Sequence, residues 1–141
     1  MLKVIIDTNV LVSSLLQRSY PFLIVDYILA ERQVELCISD DLLNEYVEVL
    51  NRIKFFKYED YAIRSKVLLS DIKKFGIKYL PDFRLNIIKD SPDNRLLELA
   101  ETSRAAYLIT GNTKHFIMRH YKSTMIISAR EFWELIISKK S

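Results

Sequence analysis

The first residues of the chain constrain its fold most strongly. The apolar run from Leu2 to Ile6 is rich in β-branched residues and ends abruptly at Asp7, which Thr8 and Asn9 follow. A short β-branched run of this kind predicts a buried strand of an α/β sheet. In such sheets, ligands bind beyond the carboxyl ends of the strands. Asp7 is therefore the first candidate for a functional carboxylate.

Length and composition predict one domain spanning residues 1–141. The chain has 141 residues, of which 50% are hydrophobic, and its 2 Gly and 3 Pro offer few breaks. We expect a cytoplasmic protein without a membrane segment, because no apolar run approaches about 18 residues and no signal-peptide pattern opens the chain. The single cysteine, Cys37, excludes an internal disulfide, and its apolar neighbours favour a buried thiol.

Strand and helix patterns alternate along the chain. Beyond the first strand, strands are predicted at 34–38, 77–80, 106–110 and 124–127. Helices are predicted at 10–17, 21–31, 58–75 and from 92 to about 104. Another is capped by Ser39 or Asp40 and carries apolar residues from Leu42 to Leu50, and a last one is opened by a capping box at Ser128 and Glu131. Gly76 is the predicted stop of the fourth helix. The alternation predicts an α/β domain with a mainly parallel sheet of four or five strands.

Acidic and amide residues are predicted to converge at one edge of this sheet. The strand at 106–110 ends in Gly111 and Asn112, much as the first strand ends at Asp7. Asp93 falls in the first turn of a helix, and Glu45 interrupts an apolar helix face. Clustered carboxylates repel one another unless a hard cation joins them, and Mg²⁺ or Mn²⁺ with oxygen ligands suits phosphodiester chemistry.

Each of these residues also has a purely structural interpretation. Asp7 could cap the helix that follows it, and Asp93 could satisfy the dipole of its own helix. The helical phase alone does not prove that Glu45 points inward. Asn112 could be a loop residue with a left-handed backbone.

Basic and aromatic residues suggest a polyanionic substrate. The net charge is +3, and basic residues crowd the middle third of the chain: Arg52, Lys54, Lys57, Arg64, Lys66, Lys73, Lys74 and Lys78. If they flank the acids, the pair would suit a nucleic acid beside a metal. Aromatic side chains could stack on bases, or pack in the core or a subunit interface: Tyr20, Tyr27, Tyr46, Phe55, Phe56, Tyr58 and Tyr61.

Lys114 and His115 follow the second polar strand exit and could contact a phosphate. His115 could instead be a structural or capping histidine, because nothing in the sequence supplies it with an orienting partner.

Together these motifs resemble a PIN domain, the nuclease family similar to the PilT N-terminus. The resemblance rests on the segment from Asp7 to Ser13, Glu45, Asp93-Asn94 before an apolar helix, and the segment from Leu108 to Asn112. It runs from Met1 to about Trp133. The greatest similarity is to the prokaryotic group described as toxins of toxin–antitoxin pairs.

The resemblance implies a three-layer α/β/α sandwich and a Mg²⁺- or Mn²⁺-dependent endoribonuclease. It also implies an RNA substrate, a protein antitoxin and a homodimer. Asp7, Glu45 and Asp93 match the family's metal-binding acids. Asn112 falls where many members have a fourth acid, so the site carries one less negative charge and should hold its metal more weakly.

The remaining candidates support these residues. Asp90 could add a nearby carboxylate, while Thr8, Asn9 and Thr110 could orient the ligating carboxylates. An alternative function is a PIN-like module that binds RNA or a protein without cutting. A third, phosphotransfer through Asp7, fits less well because a second Asp would be needed where Asn9 stands.

Overall fold

Six strands form one sheet at the centre of the computed structural model, which describes residues 1–89, 91–116 and 118–140. The strands are β1 (Leu2–Ile6), β2 (Val34–Ile38), β3 (Ile77–Lys78), β4 (Tyr107–Ile109), β5 (His120–Tyr121) and β6 (Thr124–Ile127). Their order in the sheet is β3-β2-β1-β4-β6-β5. All neighbours are parallel except β5, which is antiparallel to β6. The expectation of a mainly parallel α/β sheet is thereby confirmed.

Helices flank this sheet. They are α1 (Thr8–Leu16), α2 (Tyr20–Ala30), α3 (Asp40–Leu50), α4 (Tyr61–Phe75), α5 (Ser91–Ser103) and α6 (Ala129–Phe132). Short 3-10 turns cover Ile53–Phe55 and Thr113–His115, and the chain after α6 continues as a π turn, Trp133–Ile137. None of the helices in the described ranges is long and apolar enough to cross a membrane.

Local side chains account for several helix ends. Ser39 Oγ accepts a hydrogen bond from the N–H of Leu42 at 3.2 Å, and Ser128 and Glu131 form the predicted capping box. Gly76 follows the end of α4, as predicted, but its backbone is extended, with φ −66°. A Cβ at this position would lie 2.6 Å from the carbonyl oxygen of Ile72. Gly76 is therefore required for a close approach rather than for a left-handed turn.

The order of the strands creates a crevice between β1 and β4. The chain runs from β1 outward to β2 and β3, and then returns to the other side of β1 as β4. Such a reversal is where open α/β sheets bind ligands. The core on both faces of the sheet is apolar and includes Cys37. Burial raises the pKa of the Cys37 thiol to about 12, so this thiol is unreactive at neutral pH.

Candidate active site

Four of the five parallel strands, β1, β2, β4 and β6, are followed directly by a polar residue with a short side chain: Asp7, Ser39, Thr110 and Ser128. The register of β1 and β4 pairs Ile6 with Ile109, and the N–H of Asp7 donates to the carbonyl oxygen of Ile109 at 2.8 Å. Asp7 and Thr110 therefore stand side by side at the crevice.

A network of neutral donors holds the Asp7 carboxylate. Its Oδ2 accepts hydrogen bonds from Thr110 Oγ1 at 2.8 Å and from Asn9 Nδ2 at 3.2 Å. These donors are themselves anchored, because Gly111 N–H donates to Asn9 Oδ1 at 2.9 Å and Asn112 N–H donates to Thr110 Oγ1 at 3.0 Å. The loops after β1 and β4 are thus bonded to each other, and together they fix the position of the Asp7 carboxylate.

Asp7 does not act as a side-chain cap of α1. It occupies the position before the helix, but its side chain makes no capping hydrogen bond there. The N–H of Val10 instead donates to the backbone carbonyl of Asp7 at 3.0 Å. The structural interpretation of this acid is therefore not supported by its contacts.

Glu45 and Asp93 line the same pocket as Asp7, together with Asn112 and His115. The pocket has a volume of about 430 Å³. Asp7 and Asp93 are only 7% and 6% exposed, whereas Glu45 is half-buried. Glu45 points inward, since its Oε2 accepts a hydrogen bond from Thr8 Oγ1.

The pocket disfavours negative charge on Asp7. Burial is the main cause that raises its pKa from 3.8 to about 6, and the hydrogen bond from Thr110 offsets part of this effect. The charges of Asp93 and Glu45 raise the pKa of Asp7 further. Three acids in one pocket therefore repel one another across a poorly solvated space.

Tyr46 connects the Glu45 helix to the end of β1. Its hydroxyl donates to the carbonyl oxygen of Ile6, and its side chain is fully buried. Burial raises the pKa of Tyr46 well above its usual value, so the phenol stays protonated and keeps this bond. The position of Glu45 relative to Asp7 is thereby set by a core contact.

The residues that follow β4 differ in how they contribute to the pocket. Asn112 is exposed at the rim of the pocket, with φ −121°, so the left-handed interpretation of this residue is wrong. His115 Nδ1 lies 3.5 Å from Asp93 Oδ2, which supplies the partner that the sequence did not reveal. Lys114 is exposed on the same turn but outside the pocket lining, and Asp90 lies outside the described residues.

The sequence named Arg52 and Phe55 only within larger groups of basic and aromatic residues, and it did not single out the buried acid Glu98. Arg52 and Phe55 line the pocket, although only the general crowding of basic and aromatic residues in this region pointed to them. Glu98 is buried but belongs to a separate ion-pair cluster, in which Arg95 and Arg84 lie 2.8 and 3.4 Å from its carboxylate. Glu98 also accepts the N–H of Leu85 at 2.7 Å and so holds the loop before α5.

The donor chemistry of the pocket fits a hard divalent cation. Asp7, Glu45 and Asp93 supply carboxylate oxygens, which Mg²⁺ and Mn²⁺ prefer as ligands. These carboxylates lie farther apart than the ligands of a closed metal site do. Over residues 1–89, 91–116 and 118–140, no three acidic, histidine or cysteine side chains are close enough to hold one ion together.

Fold and site define an α/β protein with an acidic crevice at the reversal point of a parallel sheet. A family model described as PIN domain matches residues 3–114. Uncharacterized protein MJ1680 of Methanocaldococcus jannaschii is 30% identical over 112 residues, which cover 79% of this chain and 71% of that protein. The chain belongs to the PIN domain family.

A solved structure has the same fold at low sequence identity. The crystal structure of VapBC2 from Rickettsia felis, bound to a DNA fragment from the promoter, contains a chain similar to this one. The TM-score is 0.58 at 12% identity, and the alignment covers 90% of this chain and 98% of that chain. The α/β/α architecture implied by the sequence resemblance is confirmed.

Replacing Asp7 with Asn should stabilise the protein at neutral pH. The raised pKa means that the unfolded chain loses this proton from pH 3.8 upward, while the folded protein keeps it until about pH 6. The Asp7 carboxyl therefore lowers the free energy of unfolding of the wild type as the pH rises from 3.8 to about 6. This loss of stability amounts to about 3 kcal/mol above pH 6 and to nothing below pH 3.8.

Urea unfolding at a series of pH values measures this difference. Asp7→Asn should exceed the wild type by about 1–3 kcal/mol at pH 7.5, and the two should converge near pH 4. The exposed Asp26 on α2 provides the control, since Asp26→Asn should leave stability unchanged. A loss of stability in Asp7→Asn at every pH would mean that the carboxylate serves the fold.

Proposed function

We propose that the protein is an endoribonuclease that hydrolyses RNA phosphodiester bonds with the aid of Mg²⁺ or Mn²⁺. The observation that carries this proposal is the convergence of Asp7, Glu45 and Asp93 on one pocket at the ends of β1 and β4. Membership of the PIN domain family supports nuclease chemistry at this site.

The three acids would have different roles in the reaction. Asp7 and Asp93, as the two buried carboxylates of the pocket, would hold the cation. Glu45 would exchange its hydrogen bond with Thr8 for a contact with the cation or the attacking water. A bound Mg²⁺ or Mn²⁺ supplies a water of lowered pKa and neutralises charge on the phosphate. Asn9 and Thr110 would keep Asp7 in its orientation throughout.

Cleavage of a mixed-sequence, single-stranded RNA tests the proposal. The wild type should cleave with Mn²⁺ or Mg²⁺ and stop when EDTA is added. Asp7→Asn and Asp93→Asn should each lower the cleavage rate about 100-fold or more. Each substitution removes a negatively charged ligand of the cation that would neutralise the reacting phosphate. Rates are read from product bands on a denaturing gel, with the exposed Asp26→Asn as the control of unchanged rate.

The amide at position 112 separates this function from its alternative. Asn112 offers only a neutral carbonyl oxygen, and the open spacing of the acids also favours weak metal binding. Asn112→Asp should therefore lower the metal concentration needed for half-maximal cleavage. If RNA is bound but remains intact at every metal concentration, in both the wild type and Asn112→Asp, the chain is a binding module and not a nuclease.

We also propose that His115 positions the carboxylate of Asp93. Its Nδ1 is 3.5 Å from Asp93 Oδ2, while half of the histidine side chain is exposed. Contacts of this length in active sites often shorten when the substrate binds. Carboxylates that bind metals need such outer partners to hold their geometry.

Two substitutions distinguish positioning from substrate contact. The amide nitrogen of Asn lies about as far along the side chain as Nδ1, whereas that of Gln lies nearer to Nε2. Titration calorimetry with Mn²⁺ should give an affinity close to wild type for His115→Asn and an affinity about tenfold weaker for His115→Gln and His115→Ala. Unchanged Mn²⁺ affinity in all three, with a raised KM for RNA, would assign His115 to the substrate instead.

We further propose that the protein is the toxin of a toxin–antitoxin pair. Support comes from the solved Rickettsia felis VapBC2 complex, whose chain has a similar fold. A protein partner is also consistent with the apolar side chains of Ile63 and Val67, which are exposed on α4 beside an open groove against α1 and α2. The family resemblance adds a homodimer, which light scattering of the purified protein would measure.

Co-expression tests the toxin assignment. Induction of the protein alone should arrest growth, and the gene should be preceded by a small reading frame whose co-induction restores growth, with both products purifying as one complex. Asp7→Asn should not arrest growth, yet should still purify with the partner, because the acidic pocket and the α4 groove have different linings. Growth arrest that persists in Asp7→Asn would contradict the assignment.

A further inference from the structure

Large apolar side chains are exposed close together beside the acidic pocket. Residues 52–58, called the 52–58 segment below, read Arg-Ile-Lys-Phe-Phe-Lys-Tyr and connect α3 to α4. Ile53 is 88% exposed and Phe56 is 42% exposed, and Tyr58 is exposed as well. Clustered apolar side chains on a surface that met only water would be unfavourable, and such clusters mark binding sites.

Two aromatic rings of the 52–58 segment pack on a buried ring of α4. The rings of Phe55 and Phe56 both pack on the ring of Tyr61, with centroid distances of 5.6 and 5.5 Å. Tyr61 is fully buried, and its hydroxyl donates to the carbonyl oxygen of Leu50 at 2.7 Å. The segment is therefore anchored to both flanking helices, and the exposed face of Phe56 has a fixed orientation.

The 52–58 segment is continuous with the pocket. Arg52 and Phe55 form part of the same lining as Asp7, Glu45 and Asp93. A phosphate that lay against the three acids would therefore lie close to Arg52 and Phe55, the two residues of the segment that line the pocket.

The charged residues within the 52–58 segment are all basic, although Glu59 and Asp60 follow it directly. Lys54 and Lys57 are exposed, with their Nζ atoms 5.2 Å from the ring centroid of Phe55 and 5.5 Å from that of Tyr58. Arg52 is bound by Glu48 on the preceding turn, at 3.0 Å between Nη2 and Oε2. Cations interleaved with aromatic rings match a polymer in which phosphates alternate with unstacked bases.

We propose that the 52–58 segment binds an unpaired strand of nucleic acid and leads it into the acidic pocket. Lys54 and Lys57 contact phosphates, and Phe56 stacks on a base. This inference rests on the proposed nuclease function, for which it supplies the substrate path. A second copy of the chain fits less well, because a two-fold interface through this segment would set Lys54 and Lys57 against their own equivalents.

Fluorescence anisotropy with a short labelled oligonucleotide tests the proposal. Binding is measured in EDTA, so that the result does not depend on metal or on cleavage. Phe56→Ala should weaken binding of single-stranded RNA about tenfold, through loss of stacking on one base. The double variant Lys54→Gln, Lys57→Gln should reduce the slope of log Kd against log salt by about 1.4, or about 0.7 for each phosphate contact.

The other end of α4 offers a matched control. There Lys74 Nζ lies 5.2 Å from the ring centroid of Phe75, which is also exposed, but this pair is about 21 Å along the helix from Tyr61. Phe75→Ala and Lys74→Gln should leave RNA affinity and its salt dependence unchanged. Circular dichroism checks the folding of each variant, and the double lysine variant, which changes only exposed side chains, guards against a folding defect in Phe56→Ala.

The following comparisons decide the outcome. Tighter binding of single-stranded RNA than of its duplex supports the proposal, and an arm with single-stranded DNA identifies which strand the segment takes. Unchanged affinity and salt slope in both segment variants would overturn it. So would a wild-type dimer that Phe56→Ala converts to a monomer without loss of RNA affinity, which would make the segment an interface between copies. RNA binding without cleavage by the wild type would count against the nuclease proposal alone.

Discussion

The burial of acidic side chains next to one another is the constraint around which the site is built. Asp7 is held by a hydroxyl and an amide, so the donors that fix its position leave its negative charge uncompensated. The contrast within the same molecule is Glu98, a buried acid that lies against two arginines. A carboxylate paired with arginine stabilises a loop, whereas one surrounded by neutral donors and other acids remains available to a cation.

Most of the fold follows from local patterns in the sequence. The bounds of β2 and β6, the cap at Ser39 and the capping box at Ser128 could all be predicted, because apolar alternation and capping chemistry act within a few residues. The two-residue strand β5 could not, since so short a segment carries no period and forms only where β6 offers its edge. The π turn after α6 likewise leaves no signal in the sequence.

The site could be predicted as a set of residues but not as a set of contacts. Asp7 and Asp93 stand out because strand exits and first helical turns have fixed positions in an α/β fold. The inward direction of Glu45 depends on Thr8 and on the core contact of Tyr46. The approach of His115 to Asp93 and of Arg52 to the pocket joins distant parts of the chain, and no spacing in the sequence encodes such distances.

The bond from Thr110 to Asp7 spans 103 positions of the chain. Because β1 needs β4 beside it before this bond can form, synthesis from the amino end makes Asp7 early and leaves it without its main hydrogen-bond donor until the chain has passed residue 110. A nascent or prematurely terminated chain that ends before β4 lacks the crevice altogether. The site is thus completed late in the life of the chain, although its first carboxylate is among the first residues to be made.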